Sequence, residues 1–234
     1  MITSAHNQRL RLIRRLRSRR QREREGLFVC EGEDLVAAAL AEGVEPVFAL
    51  VDAERPSAFD LDAEPVEPQL LADVSTLGHP PRVVAAFRRD DLPAGSRDVM
   101  LALWRVADPG NVGTLLRAAD AFGAGLALSA GCADPTGPKA LRASAGAIFR
   151  VPVVRFDGTT GRRVALVPRG GRPLPEIEIA PPATFVLGAE RDGLPDDVVA
   201  GCDEVASIPQ TAAAESLNVA MAGTVALYEL ARRR

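Results

Sequence analysis

Residues Val99 to Val106 read Val-Met-Leu-Ala-Leu-Trp-Arg-Val, an almost unbroken apolar run. A strand with one wet face would alternate polar and apolar residues. A continuous run instead marks a central strand of a parallel sheet, covered on both faces. The residues beyond it fit that requirement. Gly110 to Phe122 carries a helical pattern, and Leu126 to Leu128 a short strand. Further strands are predicted at Val164–Val167, Phe185–Leu187 and Val205–Ile208. Ser216 to Leu230 is the closing helix, with Leu217, Met221, Val225 and Tyr228 on one side. Residues 99–234 therefore read as an α/β domain with a mostly parallel sheet.

Residues 1–90 predict a second, smaller α/β layer. Strands are expected at Leu27–Cys30 and Val47–Val51, with a helix at Asp34–Ala41. The stretch Glu64–Arg88 reads as a strand, a short helix near Leu70–Val74 and a strand at Val83–Phe87. Asp90 to Asp98, with Pro93 and Gly95, is the expected linker. Apolar residues at 47% and charged residues at 25% suit a globular enzyme. No apolar run approaches the roughly 18 residues of a membrane span, and the basic amino terminus does not resemble a secretory signal. Cys30, Cys132 and Cys202 lie far apart without metal-ligand spacing. They are expected to be reduced thiols in a cytoplasmic protein, and no metal site is expected.

The net charge of −3 conceals a strongly basic segment. Arg9, Arg11, Arg14, Arg15, Arg17, Arg19, Arg20, Arg22 and Arg24 are opposed locally only by Glu23 and Glu25. Leu10, Ile13 and Leu16 recur among them at helical spacing, which predicts one basic helix with an apolar stripe. A solvated face is the simpler interpretation. The density of a single sign favours contact with a polyanion, and RNA is the expected partner of Arg9, Arg11, Arg14 and Arg15.

In open parallel sheets, ligands bind on the loops beyond the carboxyl ends of the strands. Three such loops are rich in specific residue types. Ala107 to Gly113 enters a helix that Asn111 can cap, with Arg117 six residues further on. An arginine facing the cleft could grip a phosphate with both arms of its fork. Leu187 to Pro195 follows a strand and carries Gly188, Glu190 and Gly193. Ser207 to Gln210 leads through Thr211–Glu215 to Ser216-Leu217-Asn218 at the start of the last helix. There Ser216 and Asn218 place two small polar groups at the start of an apolar helix. The plain interpretation is capping by Ser216, with Asn218 a partly buried helical residue whose place beside an apolar stripe needs a reason. Taken singly, each loop is also compatible with ordinary capping and turning.

In this order the three segments resemble the SpoU (TrmH) branch of the SPOUT RNA methyltransferases. The pattern N-x-G-x-x-x-R is met by Asn111, Gly113 and Arg117; G-x-E-x-x-G is met by Gly188, Glu190 and Gly193. The Ile-Pro pair with a following Ser-Leu-Asn is met by Ile208, Pro209, Ser216, Leu217 and Asn218. A fourth similarity covers Pro138 to Gly146, including Arg142. The amino terminus, through Ser4–Asn7 and Phe28–Gly32, is similar to the accessory domain of members acting on ribosomal RNA.

The resemblance implies a trefoil-knotted α/β methyltransferase domain behind a small ribosomal-protein-like RNA-binding domain. It implies S-adenosylmethionine as cofactor, held by Leu187, Gly188, Ile208, Pro209, Ser216 and Leu217. It also implies a homodimer, with methyl transfer to a ribose 2′-hydroxyl, most naturally in 23S ribosomal RNA. Arg117, Asn111, Glu190, Ser216 and Asn218 would carry the chemistry, with Arg142 joining the basic helix on the RNA. A guanidinium stays protonated in proteins, so Arg117 is expected to anchor a phosphate and stabilise the developing alkoxide.

Two departures from the family pattern stand out. Gln210 replaces the usual methionine, and the glycine- and proline-rich stretch 155–184 is short enough to lack a covering helix. A transfer RNA substrate or a catalytically silent RNA-binding protein on the same fold are the rival interpretations. A Rossmann enzyme is disfavoured, because Gly123 and Gly125 are only a fragment of G-x-G-x-x-G.

Overall fold

The computed structural model describes residues 1–55, 61–211 and 216–233. Its arginine-rich segment forms two helices, α1 (Gln8–Leu16) and α2 (Arg19–Glu25), where one was expected. Asn7 caps α1 by accepting the Arg9 N–H at 2.8 Å, and Leu10, Ile13 and Leu16 are buried beneath it. The break has a physical cause at Arg22. Its guanidinium donates to the Leu16 and Arg17 carbonyls at 2.8 and 2.9 Å, satisfying acceptors that the end of α1 leaves open. Gly26, in the left-handed region at φ 65°, ends α2 and starts the first strand.

The remaining amino-terminal elements are β1 (Leu27–Glu31), α3 (Glu33–Ala41), β2 (Phe48–Asp52), β3 (Ala63–Val66), α4 (Pro68–Val74) and β4 (Val83–Arg88). The sheet order is β1-β4-β2-β3, antiparallel except for the β2–β3 pair. One face packs Val29, Leu50 and Val84 against α1 and α4. The other face carries Phe28, Cys30, Ala85 and Phe87 into the core shared with the second domain.

That second domain contains β5 (Val99–Leu103), α5 (Pro109–Ala121), β6 (Gly125–Leu128), α6 (Pro138–Ser144) and β7 (Val153–Arg155). They are followed by β8 (Arg162–Leu166), β9 (Arg172–Pro173), β10 (Ala183–Leu187), α7 (Asp196–Ala200), β11 (Glu204–Ser207) and α8 (Val219–Ala231). All seven strands are parallel, in the order β7-β6-β5-β10-β8-β11-β9. Every residue of β5 is buried, as its apolar run requires. Strand β11 lies between β8 and β9, although those two are joined by residues 167–171 alone. The Val167 N–H donates to the Ala206 carbonyl at 2.9 Å, and a methyl group on Gly171 would meet the Ala206 carbonyl carbon at 2.6 Å. The later strand thus passes tightly beneath an earlier connection, as the expected threading of the carboxyl-terminal segment requires.

Between β7 and β10 there is no α-helix, in keeping with the expectation for 155–184. Phe156, Leu194, Val198 and Cys202 cover Met100, Ala102, Ala127 and Val186 on that face of the sheet instead. The opposite face is covered by α5 and α8. Gly113 lets α5 approach α6 closely: a methyl group there would sit 2.3 Å from the Ala140 carbonyl oxygen. The first glycine of the motif is therefore a packing residue.

The two domains share one core. Phe28 and Phe87 contact Phe149 with ring centroids 6.0 and 5.5 Å apart. Beside them, Arg22 and Asp134 form a buried ion pair at 2.7 Å, each side chain 5% exposed. Arg89 joins it through Thr136 at 2.7 Å. Burial alone would raise the Asp134 carboxyl, but the Thr136 hydroxyl and amide, then Arg22 and Arg89, outweigh it and hold the group below the usual aspartate range.

Candidate functional site

A cleft of about 540 Å³ opens at the carboxyl ends of β8, β10 and β11, within the usual range for small-molecule sites. Its walls are apolar at Leu166, Leu187, Ile208, Leu217 and Val219, and polar at Glu190, Ser216 and Asn218. Of the residues expected to hold the cofactor, Leu187, Gly188, Ile208, Ser216 and Leu217 line it. Pro209 does not, and is exposed at the end of β11. Gln210 lines the rim, whereas 212–215 in the connecting loop fall outside the described residues. Gly188 is required by the turn that follows β10, since a methyl group there would lie 2.1 Å from the Gly193 carbonyl carbon.

Beside the cleft, three motif side chains form a continuous hydrogen-bonded chain. Asn218 Nδ2 donates to Asn111 Oδ1 at 3.1 Å, and Asn111 Nδ2 donates to Glu190 Oε1 at 2.9 Å. The backbone N–H groups of Ala107 and Asp108 also donate to the Glu190 carboxylate, at 3.4 and 3.3 Å. Burial by itself would raise the Glu190 carboxyl, but these donors outweigh it and lower it below the ordinary glutamate range. Glu190 is thus an ionised clamp that ties the β10 loop to the entry of α5.

Two capping assignments need correction. Asp108 caps α5 by accepting the Asn111 N–H at 3.0 Å, and its other oxygen pairs with Lys139 at 2.9 Å. This releases the Asn111 side chain to bridge Asn218 and Glu190. Likewise, α8 begins at Val219 and Asn218 is its cap, accepting the Ala220 and Met221 N–H groups at 2.9 and 3.4 Å. Ser216, the cap under the plain interpretation, precedes the helix and is exposed.

Arg117 lies further along α5, exposed, with no hydrogen bond or ion pair among the described residues. It does not join the Asn218–Asn111–Glu190 chain. Of the other arginines expected on RNA, Arg9 pairs with Glu64 at 2.8 Å, Arg11 contacts His6 and Arg14 donates to Ala5 O at 2.9 Å. Arg15 lies 3.9 Å from Glu25, and Arg142 donates to Thr76 Oγ1 at 2.9 Å across the domain junction. Arg11, Arg15 and Arg142 remain exposed. Arg22, in contrast, is a buried structural residue. The sequence reading did not single out Leu166, Val167 and Pro168, which line the cleft. Their position at the carboxyl end of a predicted strand was the available signal.

Residues 98–228 match the model of the SpoU rRNA Methylase family, and residues 7–85 match the MRM3-like substrate binding domain. A 23S rRNA (uridine(2479)-2'-O)-methyltransferase of Streptomyces viridochromogenes is 30% identical, over 94% of this chain and 87% of its own. A 23S rRNA (guanosine(2553)-2'-O)-methyltransferase of Bacillus subtilis is 29% identical over 98% of both chains. The AdoMet-bound crystal structure of an rRNA methyltransferase from Sinorhizobium meliloti superimposes with a TM-score of 0.85 at 29% identity, covering 99% of this chain and 97% of that one. With the family model spanning the whole parallel sheet and the site it carries, the chain belongs to the SpoU rRNA Methylase family.

Proposed function

We propose that this protein uses S-adenosylmethionine to methylate a ribose 2′-hydroxyl in 23S ribosomal RNA. The observation that carries this reading is the cleft at the ends of β8, β10 and β11, bordered by the Asn218–Asn111–Glu190 chain. Its apolar walls suit an adenine ring, and by analogy with the family the backbone groups of Gly188, Ile208 and Leu217, which line the cleft, would hold the polar edges. The cofactor, when bound, supplies a methyl group already activated on a sulfonium, so the protein's tasks are alignment and proton removal.

Glu190, ionised and fully engaged, acts as a positioning group; its lowered carboxyl makes it a weak base. Asn218 and Asn111 hold the entry of α8 against that of α5 and so fix the shape of the cleft. Arg117 has no hydrogen bond or ion pair among the described residues, and a guanidinium is a permanent cation, which fits it to anchor the phosphate at the target ribose and to stabilise the developing alkoxide. Ser216 adds a hydroxyl at the mouth of the cleft.

In this reading residues 1–90 recognise the substrate and residues 99–234 perform the transfer, in the cytoplasm where ribosomal RNA is found. The active unit is a homodimer. Met221, Val225 and Tyr228 on α8 are 60%, 38% and 58% exposed, an apolar stripe that a second copy would cover. Calorimetric titration with S-adenosylmethionine tests the reading. Binding by the wild type that Asn218→Ala weakens supports it; no binding in the presence or absence of RNA points to a silent RNA-binding relative.

A further inference from the structure

Two non-glycine residues among those described adopt positive φ: Arg105 at 53° and Ala145 at 48°. Ala145 has a local explanation. It terminates α6, and its N–H donates to the Arg142 carbonyl at 3.2 Å. Arg105 terminates no helix. It lies on the loop from β5 to α5, where a left-handed residue bearing a Cβ is disfavoured relative to glycine.

The surroundings impose the conformation. The Trp104 N–H donates to the Leu187 carbonyl at 2.8 Å, at the end of β10, where Leu187 lines the cleft. The Arg105 N–H donates to Ser129 Oγ at 2.8 Å, and the Ala133 N–H donates to the Val106 carbonyl at 2.9 Å. This backbone path is fixed from both sides, and glycine would follow it more easily. The presence of arginine is then explained by its side chain, since a disfavoured conformation held in place by its neighbours is a mark of function.

That side chain is exposed and lies along Gly131, where a methyl group would stand 3.4 Å from its Cγ and 3.5 Å from its Nε. It has no hydrogen bond or ion pair among the described residues. Two acids of the adjoining loops are already engaged, Asp108 by Lys139 and Glu190 by Asn111 and two backbone amides, and Asp192 makes no hydrogen bond or ion pair with Arg105. Arg105 does not line the cofactor cleft, so a group on the cofactor is not its target. Yet it lies two residues before Ala107, whose N–H holds Glu190. The backbone that carries a permanently charged planar fork is therefore fixed beside the site, and the side chain it presents is exposed to solvent.

We propose that Arg105 is an RNA-positioning residue whose guanidinium binds a backbone phosphate of the substrate strand beside the target nucleotide. The proposal rests on the RNA methyltransferase reading and adds a contact outside the motif residues. Its test uses the full-length protein, a 23S ribosomal RNA transcript, and the variants Arg105→Gly and Arg105→Ala. RNA affinity is measured over a series of salt concentrations, with cofactor affinity by calorimetry and thermal melting alongside.

Arg105→Gly should melt a few degrees higher, because it relieves the backbone. It should bind RNA about tenfold more weakly, as expected for loss of one charge-assisted contact. The slope of log affinity against log salt should fall by about 1, the signature of one lost phosphate. Arg105→Ala should lose the same affinity without the gain in melting temperature. Cofactor affinity should remain that of the wild type in both. Unchanged RNA affinity, or weaker binding with an unchanged salt slope, would overturn the proposal. Failure of the wild type to bind cofactor would count against the methyltransferase reading while the RNA titration still reads the Arg105 contact. No RNA binding by the wild type would overturn both.

Discussion

Asn218 donates its side-chain N–H to Asn111 at 3.1 Å while its own oxygen caps the last helix, so a single amide joins two motifs that lie far apart in the chain. Its two ends do different work, and two substitutions separate them. Asn218→Ala should lose the cap, about 1 kcal/mol, lowering the melting temperature by roughly 2–4 °C. Asn218→Asp keeps an acceptor for the cap but cannot donate to Asn111. It should retain most of the thermal stability and still bind S-adenosylmethionine more weakly. Equal melting losses in the two variants would count against this division.

The arginine-rich segment should divide by function as it divides by burial. Arg22→Ala leaves Asp134 buried without its main cation, which costs about 3–5 kcal/mol. Arg11, exposed on α1, should be nearly neutral for stability when changed to alanine, within about 0.5 kcal/mol. For RNA, Arg11→Ala should reduce the salt dependence of binding by about one phosphate contact. Urea unfolding read beside RNA titration measures both effects.

Much of this was legible in the sequence, and the gaps follow a pattern. The apolar run at 99–103 and the ordered motifs located the buried strand and the three loops, because both are local patterns of residue type. Capping was misassigned at Asn111 and Ser216. Asp108 and Asn218 stand close by with equally suitable side chains, and only the tertiary bridge from Asn111 to Asn218 decides between them. Arg22 was indistinguishable from its neighbours, because its partner Asp134 is contributed by the other domain. The left-handed conformation of Arg105 goes with hydrogen bonds from Trp104 to Leu187 and from Arg105 to Ser129, which leave no trace in periodicity.

Acid should loosen the domain junction. The Asp134 carboxyl is held below its unfolded value, so its contribution to stability is complete above the ordinary carboxylate range. That contribution is lost as pH falls through the depressed folded value, below about pH 4. Replacing Asp134 with Asn should remove this part of the pH dependence. Thermal melting of both proteins from neutral pH to pH 3 provides the check: parallel curves would exclude Asp134 as the acid-sensitive group.

The exposed stripe on α8 predicts the oligomeric state. Tyr228→Glu places a charge in the apolar surface formed with Met221 and Val225, so the wild type should sediment as a dimer and the variant as a monomer. The same variant should lose most of its methyl transfer. A monomeric wild type with full activity would contradict the dimeric reading.

Incubating purified protein with methyl-labelled S-adenosylmethionine and 23S ribosomal RNA, then mapping the label to a nucleotide and an atom, tests the proposed function most directly. A single labelled ribose, resistant to alkaline cleavage at its 3′ side and absent with Arg117→Ala, is the predicted result. Label on a base, or full labelling by Arg117→Ala, would contradict it.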